Sequence, residues 1–338
     1  MPFGGNDWLD LLREPALEPD IPICDPHHHF WDFRSQSIPY HRYLLQDLVK
    51  DIDSGHNVVS TVFVEARSMY RSNGPDHLKS VGEVEFVQGL AAASASGLYG
   101  PSRAAAGIVG HADLKMGDKV EEVLNQLKAA SPNRFRGIRH NVTWSPAPEV
   151  ENRESQGLLG DTAFRSGAKI LAKMDLTFDT MLFFPQLLEL ADFAKEIPEL
   201  PIILNHAGGV NRVGFYANQE EEIINAWRKG IDLVASCPNI FLKLGGLGMP
   251  RWGFELYKRD IPVGSDELAS LMGPFMHYCI EKFGPDRCMF ESNFPPDKVS
   301  YSYNIMYNAF KKLSQDYSVA ERGSMFHDTA TKVYKIEV

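Results

Sequence analysis

Short apolar runs alternate with longer stretches of helical period along almost the whole chain. The runs Ile21–Asp25, Val58–Glu65, Ala105–Gly110, Phe135–His140, Ala168–Leu176, Pro201–Asn205, Ile240–Leu244 and Cys288–Ser292 read as strands. Between them Val120, Val123, Leu124 and Leu127 follow the spacing of one helix face, and Leu187, Leu190, Ala191 and Ala194 repeat it. Eight such strands, each followed by a helical stretch, predict an α/β chain closed into a (β/α)₈ TIM barrel rather than an open sheet. No low-complexity linker divides the chain, so residues 21–338 read as one barrel domain behind an N-terminal extension, residues 1–20. The connections Ser68–Lys79, Ser145–Gly160 and Gly248–Ser265 are long and rich in Gly, Pro and polar residues. All three follow strands, so they are expected to cover the C-terminal mouth, where barrel enzymes hold their chemistry.

Composition narrows the function. With 338 residues, a 44% hydrophobic share and a formal charge of −10, the chain supports a sizeable core and disfavours nucleic acid or an anionic membrane as main partner. No stretch approaches the roughly 20 apolar residues of a bilayer span. The start, MPFGGNDWLDLLREPALEPDIP, lacks the basic and apolar parts of a signal peptide, so a cytoplasmic location is expected. Cys24, Cys237, Cys279 and Cys288 show no C-x-x-C spacing and read as buried thiols.

The densest chemistry lies in Asp25-Pro26-His27-His28-His29-Phe30-Trp31-Asp32. On a strand, a period of two places Asp25, His27 and His29 on one face, where two imidazoles can converge on one ion or one substrate oxygen. His28 then points away from the barrel axis. Other strand ends would add Glu65 and Arg67, His111 and Asp113, Arg139 and His140, Asp175 and Asp179, His206, Lys243, and finally Glu291, Asn293 and Asp297. So many charges and histidines on one rim point to a site. His111 and His140 read equally well as structural histidines bonded to nearby backbone, and His41, His56, His77, His277 and His327 receive no role. Arg67, Arg139 and Lys243 around one mouth of an acidic protein suggest a small anionic substrate.

Several strings in order, D-P-H-H-H-F-W-D, F-R-G-I-R-H, P-Q-L-L-E-L, I-I-L-N-H-A-G-G, L-K-L-G-G-L-G-M-P, G-P-D-R-C-M-F-E-S-N-F-P-P-D-K and F-H-D-T-A-T-K-V-Y, carry a resemblance from about Ile21 to Ile336. The chain resembles the amidohydrolase-2 branch of the amidohydrolase superfamily, TIM-barrel metal-dependent hydrolases that include sugar lactonases and 2-pyrone-4,6-dicarboxylate lactonase. The resemblance implies His27, His29 and His206 as ligands of one divalent ion, zinc or manganese, that polarises a carbonyl and activates water. Two departures stand out. Asn293 occupies the position of the strand-eight Asp that serves as ligand and general base, and Phe184 stands where many relatives carry a His. An amide cannot take a proton from water at neutral pH. A metal-independent route is therefore the alternative, with Arg67, Arg139 and Lys243 polarising the carbonyl. Glu291 replaces the family's Gly and reads either as a substitute metal ligand or as a buried partner of Lys243.

The resemblance implies a hydrolase that opens a lactone of sugar-acid or aromatic catabolism, with amides and carboxylic esters as near neighbours. His27 and His29 would hold metal or substrate, Arg139 and Lys243 would stabilise the oxyanion, and Glu291, Asp297, Glu65 or His206 would be the base. Glu65, Arg67, His111, His140 and Asp297 are the substrate-binding candidates. The alternatives are a metal-dependent non-oxidative decarboxylase of a small aromatic or unsaturated acid, against which Asn293 counts, and a non-catalytic ligand-binding barrel. Pairing into a homo-oligomer is left open, because no sequence stripe marks a surface for it.

Overall fold

A computed structural model describes residues 4–34, 40–147, 152 and 154–337. Its strands are β1 (Pro22–His28), β2 (Asn57–Val64), β3 (Arg103–Gly110), β4 (Phe135–Arg139), β5 (Thr177–Thr180), β6 (Ile202–Leu204), β7 (Ile240–Leu244) and β8 (Cys288–Phe290). They pair in parallel in chain order. Just beyond β8 the chain returns to β1, where Asn293 N–H donates to the His27 carbonyl at 2.8 Å and His29 N–H to the Phe294 carbonyl at 2.8 Å. With helices between successive strands, the molecule is a single-domain (β/α)₈ barrel, as the alternation predicts.

Two apolar layers hold it. The outward residues of the strands pack beneath the helices, as Ile108, Ile138, Phe178, Leu242 and Phe290 do. Inside the barrel a smaller cluster of Cys24, Val62, Val64, Val109, Ile203 and Met289 packs against Ala330, Val333, Tyr334 and Ile336. The C-terminal segment thus plugs one end of the barrel and leaves the other for polar side chains. Close packing also explains one glycine: a Cβ on Gly137 in β4 would meet Thr177 Oγ1 at 2.1 Å and the Thr177 carbonyl oxygen at 2.4 Å.

The structure corrects three expectations. The Ala168–Leu176 run is not a strand; it mostly belongs to the helix Thr162–Lys173, and β5 begins afterwards at Thr177. Asp161 caps that helix by accepting from Phe164 N–H at 2.8 Å, and Phe164, Ala168 and Leu171 form its buried stripe. Asp175 therefore lies just before β5, exposed and paired with Lys335, at the end of the strand opposite the functional one. Third, Asp25 does not share a face with His27 and His29. The β1–β2 register shifts between Asp25 and His28, and this bulge resets the alternation. Asp25 instead accepts from Ser292 N–H at 2.9 Å and Tyr303 O–H at 3.1 Å, tying β1 to β8 and to the helix Tyr303–Leu313.

The N-terminal residues dock on the barrel's outside, where the Glu14 carboxylate accepts from Ser265 N–H at 2.9 Å and Asn308 Nδ2 at 3.0 Å. All four cysteines are buried and unpaired. Among the described residues no helix is long and apolar enough to cross a membrane.

Candidate active site

Three strand ends meet around one carboxylate. Glu291, directly after β8, accepts the backbone N–H of His206 at 3.0 Å with Oε1, which also lies 2.7 Å from His206 Nδ1. Its Oε2 sits 2.6 Å from His27 Nδ1 but is buried without a hydrogen bond. The two imidazole centroids are 4.8 Å apart. One ligand atom from each of His27, His206 and Glu291 falls within 4.8 Å of the others, the spacing of a metal-ligand group. The positive φ of His206 (57°) and the left-handed Gly208 and Gly209 behind it turn this loop sharply after β6.

Charge distribution gives the group its character. Burial, then Lys243, hold His27 well below the usual imidazole range; burial, then Arg251, do the same to His206. Both rings are consequently neutral, which is the ligating form. Burial pushes Glu291 up to about 8 against the pull of Lys243. Nearby, Lys243 Nζ is 2.7 Å from Asp179 Oδ1 and 3.5 Å from His27 Nδ1. Asp179 Oδ1 also accepts from Tyr334 O–H at 2.7 Å and Asn205 Nδ2 at 3.3 Å. Arg139 donates from Nε to Glu65 Oε1 at 2.9 Å and from Nη2 to the Glu65 carbonyl, with Nη1 3.3 Å from His27 Nε2. Asp179 and Glu65 each own a fixed cation. Glu291 has no Lys or Arg in salt-bridge range among the described residues, so its charge must be met by a proton or by an added cation. The expected alternative of a Glu291–Lys243 pair is corrected accordingly, since Lys243 bonds Asp179.

Above this group opens a cavity of about 300 Å³. His29, His206 and Asn293 line it together with the guanidinium-bearing Arg34, Arg67 and Arg139 and the apolar Trp31 and Phe183. His29 Nδ1 is 2.7 Å from the Val64 carbonyl, which can only accept, so Nδ1 carries the hydrogen and Nε2 the lone pair. His29 lies outside the three-residue ligand group. Arg67 has φ +55°, a strained conformation for its residue type. The neighbouring amides of Ala66 and Ser68 hold it there by donating to Glu83 Oε1 at 3.0 and 2.7 Å.

His111, His140 and Asp297 do not line the cavity. His111 Nδ1 bonds the Arg139 carbonyl at 3.0 Å. His140 receives Leu114 N–H at 3.4 Å and faces Glu154 at 3.1 Å. Asn293 donates from Nδ2 to Asp297 Oδ1 at 2.8 Å, and Asp297 Oδ2 takes Gly248 N–H at 2.9 Å and Tyr301 O–H at 2.6 Å. Asn293 and Asp297 thus brace the loop after β7. Sequence reasoning passed over Glu83, Tyr334 and Arg251. Glu83 lies in the helix Val81–Ala95 with no motif, Tyr334 closes the string F-H-D-T-A-T-K-V-Y without a role assigned to it, and Arg251 sits in a loop with no period to read.

Burial raises the Glu65 carboxyl, but Arg139 and His111 outweigh it and bring it down to about 2. A depressed folded value stabilises the protein above the unfolded value, near 4.5, and that contribution fades as pH falls towards 2. Urea unfolding of wild type from pH 6 to 3 should lose on the order of 2 kcal/mol more than Glu65→Gln does over the same range. Parallel pH profiles would contradict the pairing.

The family model described as "Amidohydrolase" matches residues 24–336. The uncharacterised protein y4mH of Sinorhizobium fredii is 30% identical over 342 residues, covering 94% of this chain and 99% of that protein. An L-fucono-1,5-lactonase of Burkholderia multivorans is 23% identical over 322 residues, covering 92% of this chain and 95% of that protein. A crystal structure of an amidohydrolase from Burkholderia multivorans with bound zinc has TM-score 0.71 and 23% identity, covering 93% and 99% of the two chains.

Proposed function

We propose, from the premise that this chain belongs to the amidohydrolase family, that it hydrolyses an anionic lactone with one divalent metal held by His27, His206 and Glu291. The observation that carries the reading is the buried Glu291 carboxylate, set between two neutral imidazoles and with no Lys or Arg in salt-bridge range among the described residues, at the base of a cavity of about 300 Å³. The residues fit a metal on three counts: ligand type, convergence, and an Oε2 atom without a hydrogen bond. The lactonase relative and the zinc-bound structural neighbour support the same chemistry. When bound, such an ion polarises the ester carbonyl and lowers the pKa of water.

The chain's own groups do the rest. Arg139 and Lys243 are fixed before the substrate arrives, so they stabilise negative charge developing on the carbonyl oxygen without reorganising. His29 presents Nε2 as a proton acceptor on a cavity-lining ring, a general-base role worth about 10²–10⁴ in rate. Arg34 and Arg67 add positive charge to the cavity and favour an anionic substrate. Asn293 cannot act as the base. It braces Asp297, and the carboxylate that meets the histidines is Glu291, two residues earlier.

Ring opening releases one acid equivalent, so a pH-stat follows it on any lactone. Zinc-loaded protein should consume base with six- and five-membered lactones, with kcat/KM of at least about 10⁴ M⁻¹s⁻¹ for its preferred substrate. Dipicolinate treatment should abolish turnover and zinc should restore it. Carbon dioxide release from hydroxybenzoates without any lactone hydrolysis would replace this reading with decarboxylation.

A further inference from the structure

One cation beside the site has a guanidinium edge that makes no hydrogen bond among the described residues. Arg251 lies on the short turn Pro250–Trp252 in the long loop after β7. Its backbone is pinned, since its carbonyl accepts from Arg212 N–H at 2.9 Å, and Trp252 next to it is fully buried against Phe275. The guanidinium carbon stands 5.9 Å from the centroid of Phe183, a ring that lines the cavity. Its charge is also the strongest charge acting on His206. Yet Nε and Nη2 are both buried and make no hydrogen bond. Those two atoms form one edge of the guanidinium, with parallel N–H groups spaced to grip both oxygens of a carboxylate. Arg139 and Lys243 already hold Glu65 and Asp179, so they are less available for that task.

We propose that Arg251 is the residue that reads the substrate's acid group: its Nε/Nη2 edge takes a carboxylate borne by the lactone ring in two parallel hydrogen bonds. This deepens the lactone reading and rests on it for the word lactone, but not for the carboxylate. Two guanidinium nitrogens buried without hydrogen bonds are costly to the free protein, even with Asp297 and Glu291 acting on the charge. Retaining one on a rigid turn beside a cavity fits a site built for an anion that arrives later.

The test separates the two ideas. Tetrahydropyran-2-carboxylate and its carboxamide, neither of which can be hydrolysed as a lactone, are titrated calorimetrically into metal-loaded wild type, Arg251→Lys and Arg251→Met. Wild type should bind the acid at least about 30-fold more tightly than the amide. Arg251→Met should lose that preference, and Arg251→Lys should keep only a few-fold of it, because an ammonium lacks the fork. Without probe, Arg251→Met should melt at or above the wild-type temperature, whereas a purely structural arginine would leave its variant melting lower. Equal binding of acid and amide by wild type, or an unchanged preference in Arg251→Met, overturns the assignment; in the first case the edge is merely hydrated. Turnover of 6-oxotetrahydropyran-2-carboxylate against δ-valerolactone is read separately. Acid preference in binding with neither lactone opened sinks the lactone reading alone. Both opened, with the same selectivity in wild type and Arg251→Met, sinks the Arg251 assignment alone.

Discussion

Glu291→Gln should purify without its metal and with kcat/KM reduced at least about 10³-fold, the scale of losing several kcal/mol of charge stabilisation. The substitution keeps shape and removes only the charge. In wild type the carboxylate touches His206 through Oε1 at 2.7 Å and His27 through Oε2 at 2.6 Å, with no Lys or Arg in salt-bridge range among the described residues. An amide in that place is a poor ligand for a hard or borderline cation, and the two neutral imidazoles are left as a two-ligand site. Elemental analysis should find about one equivalent of zinc or manganese in wild type and less than about a tenth in the variant. Thermal melting of the metal-free proteins should show the variant no less stable, because a buried carboxylate without a cation has been removed. Full metal occupancy in Glu291→Gln would show that the ion, if present, sits elsewhere, and would return attention to His29 and Asn293. Asn293→Asp is the useful companion. If Glu291 has taken over the carboxylate's task, restoring an acid at 293 should not raise metal content, since Asn293 donates to Asp297 and an aspartate would face it as a like charge.

The second large effect concerns stability. Lys243→Met should destabilise the protein by about 3–5 kcal/mol, a large part of the roughly 5–15 kcal/mol available to a folded domain. Lys243 and Asp179 are both wholly buried and 2.7 Å apart. Removing the ammonium leaves Asp179 with the Tyr334 hydroxyl and the Asn205 amide, while its Oδ2 already lacks a hydrogen bond. An uncompensated charge is worse than none, so Lys243→Met with Asp179→Asn should recover most of the loss. Urea midpoints at constant m-value decide it. A single variant within about 1 kcal/mol of wild type, or a double variant no better than the single, would mean that the pair is not the internal strut described here. Activity should fall in both variants, because the cation beside His27 is gone.

Barrel and family were legible from local pattern. Helix and strand periods depend on neighbours a few residues away, and motifs such as D-P-H-H-H-F-W-D and I-I-L-N-H-A-G-G are contiguous. The one misread strand, Ala168–Leu176, is an amphipathic helix end running into a turn. Its apolar residues satisfy both periods over so short a window, and the arbitrating signal was the Asp161 cap upstream. In the site, His27, His206, Arg139 and Lys243 were foreseen as neighbours because barrel strands end at one mouth.

What the sequence by itself determined is therefore the element order, the closed parallel barrel and the roster of polar strand ends. Only the tertiary structure decided who pairs with whom. The bulge between Asp25 and His28 turned one expected site carboxylate away from its histidines. Lys243 went to Asp179 rather than to Glu291, and Glu291 to two imidazoles. Arg251 came to stand beside Phe183 with a bare edge. The physical reason is range. Periodicity and motifs are set by the covalent chain within a turn or two. The partner of a buried charge is set by groups up to hundreds of residues away, through distances of an ångström or so that only the packed barrel defines.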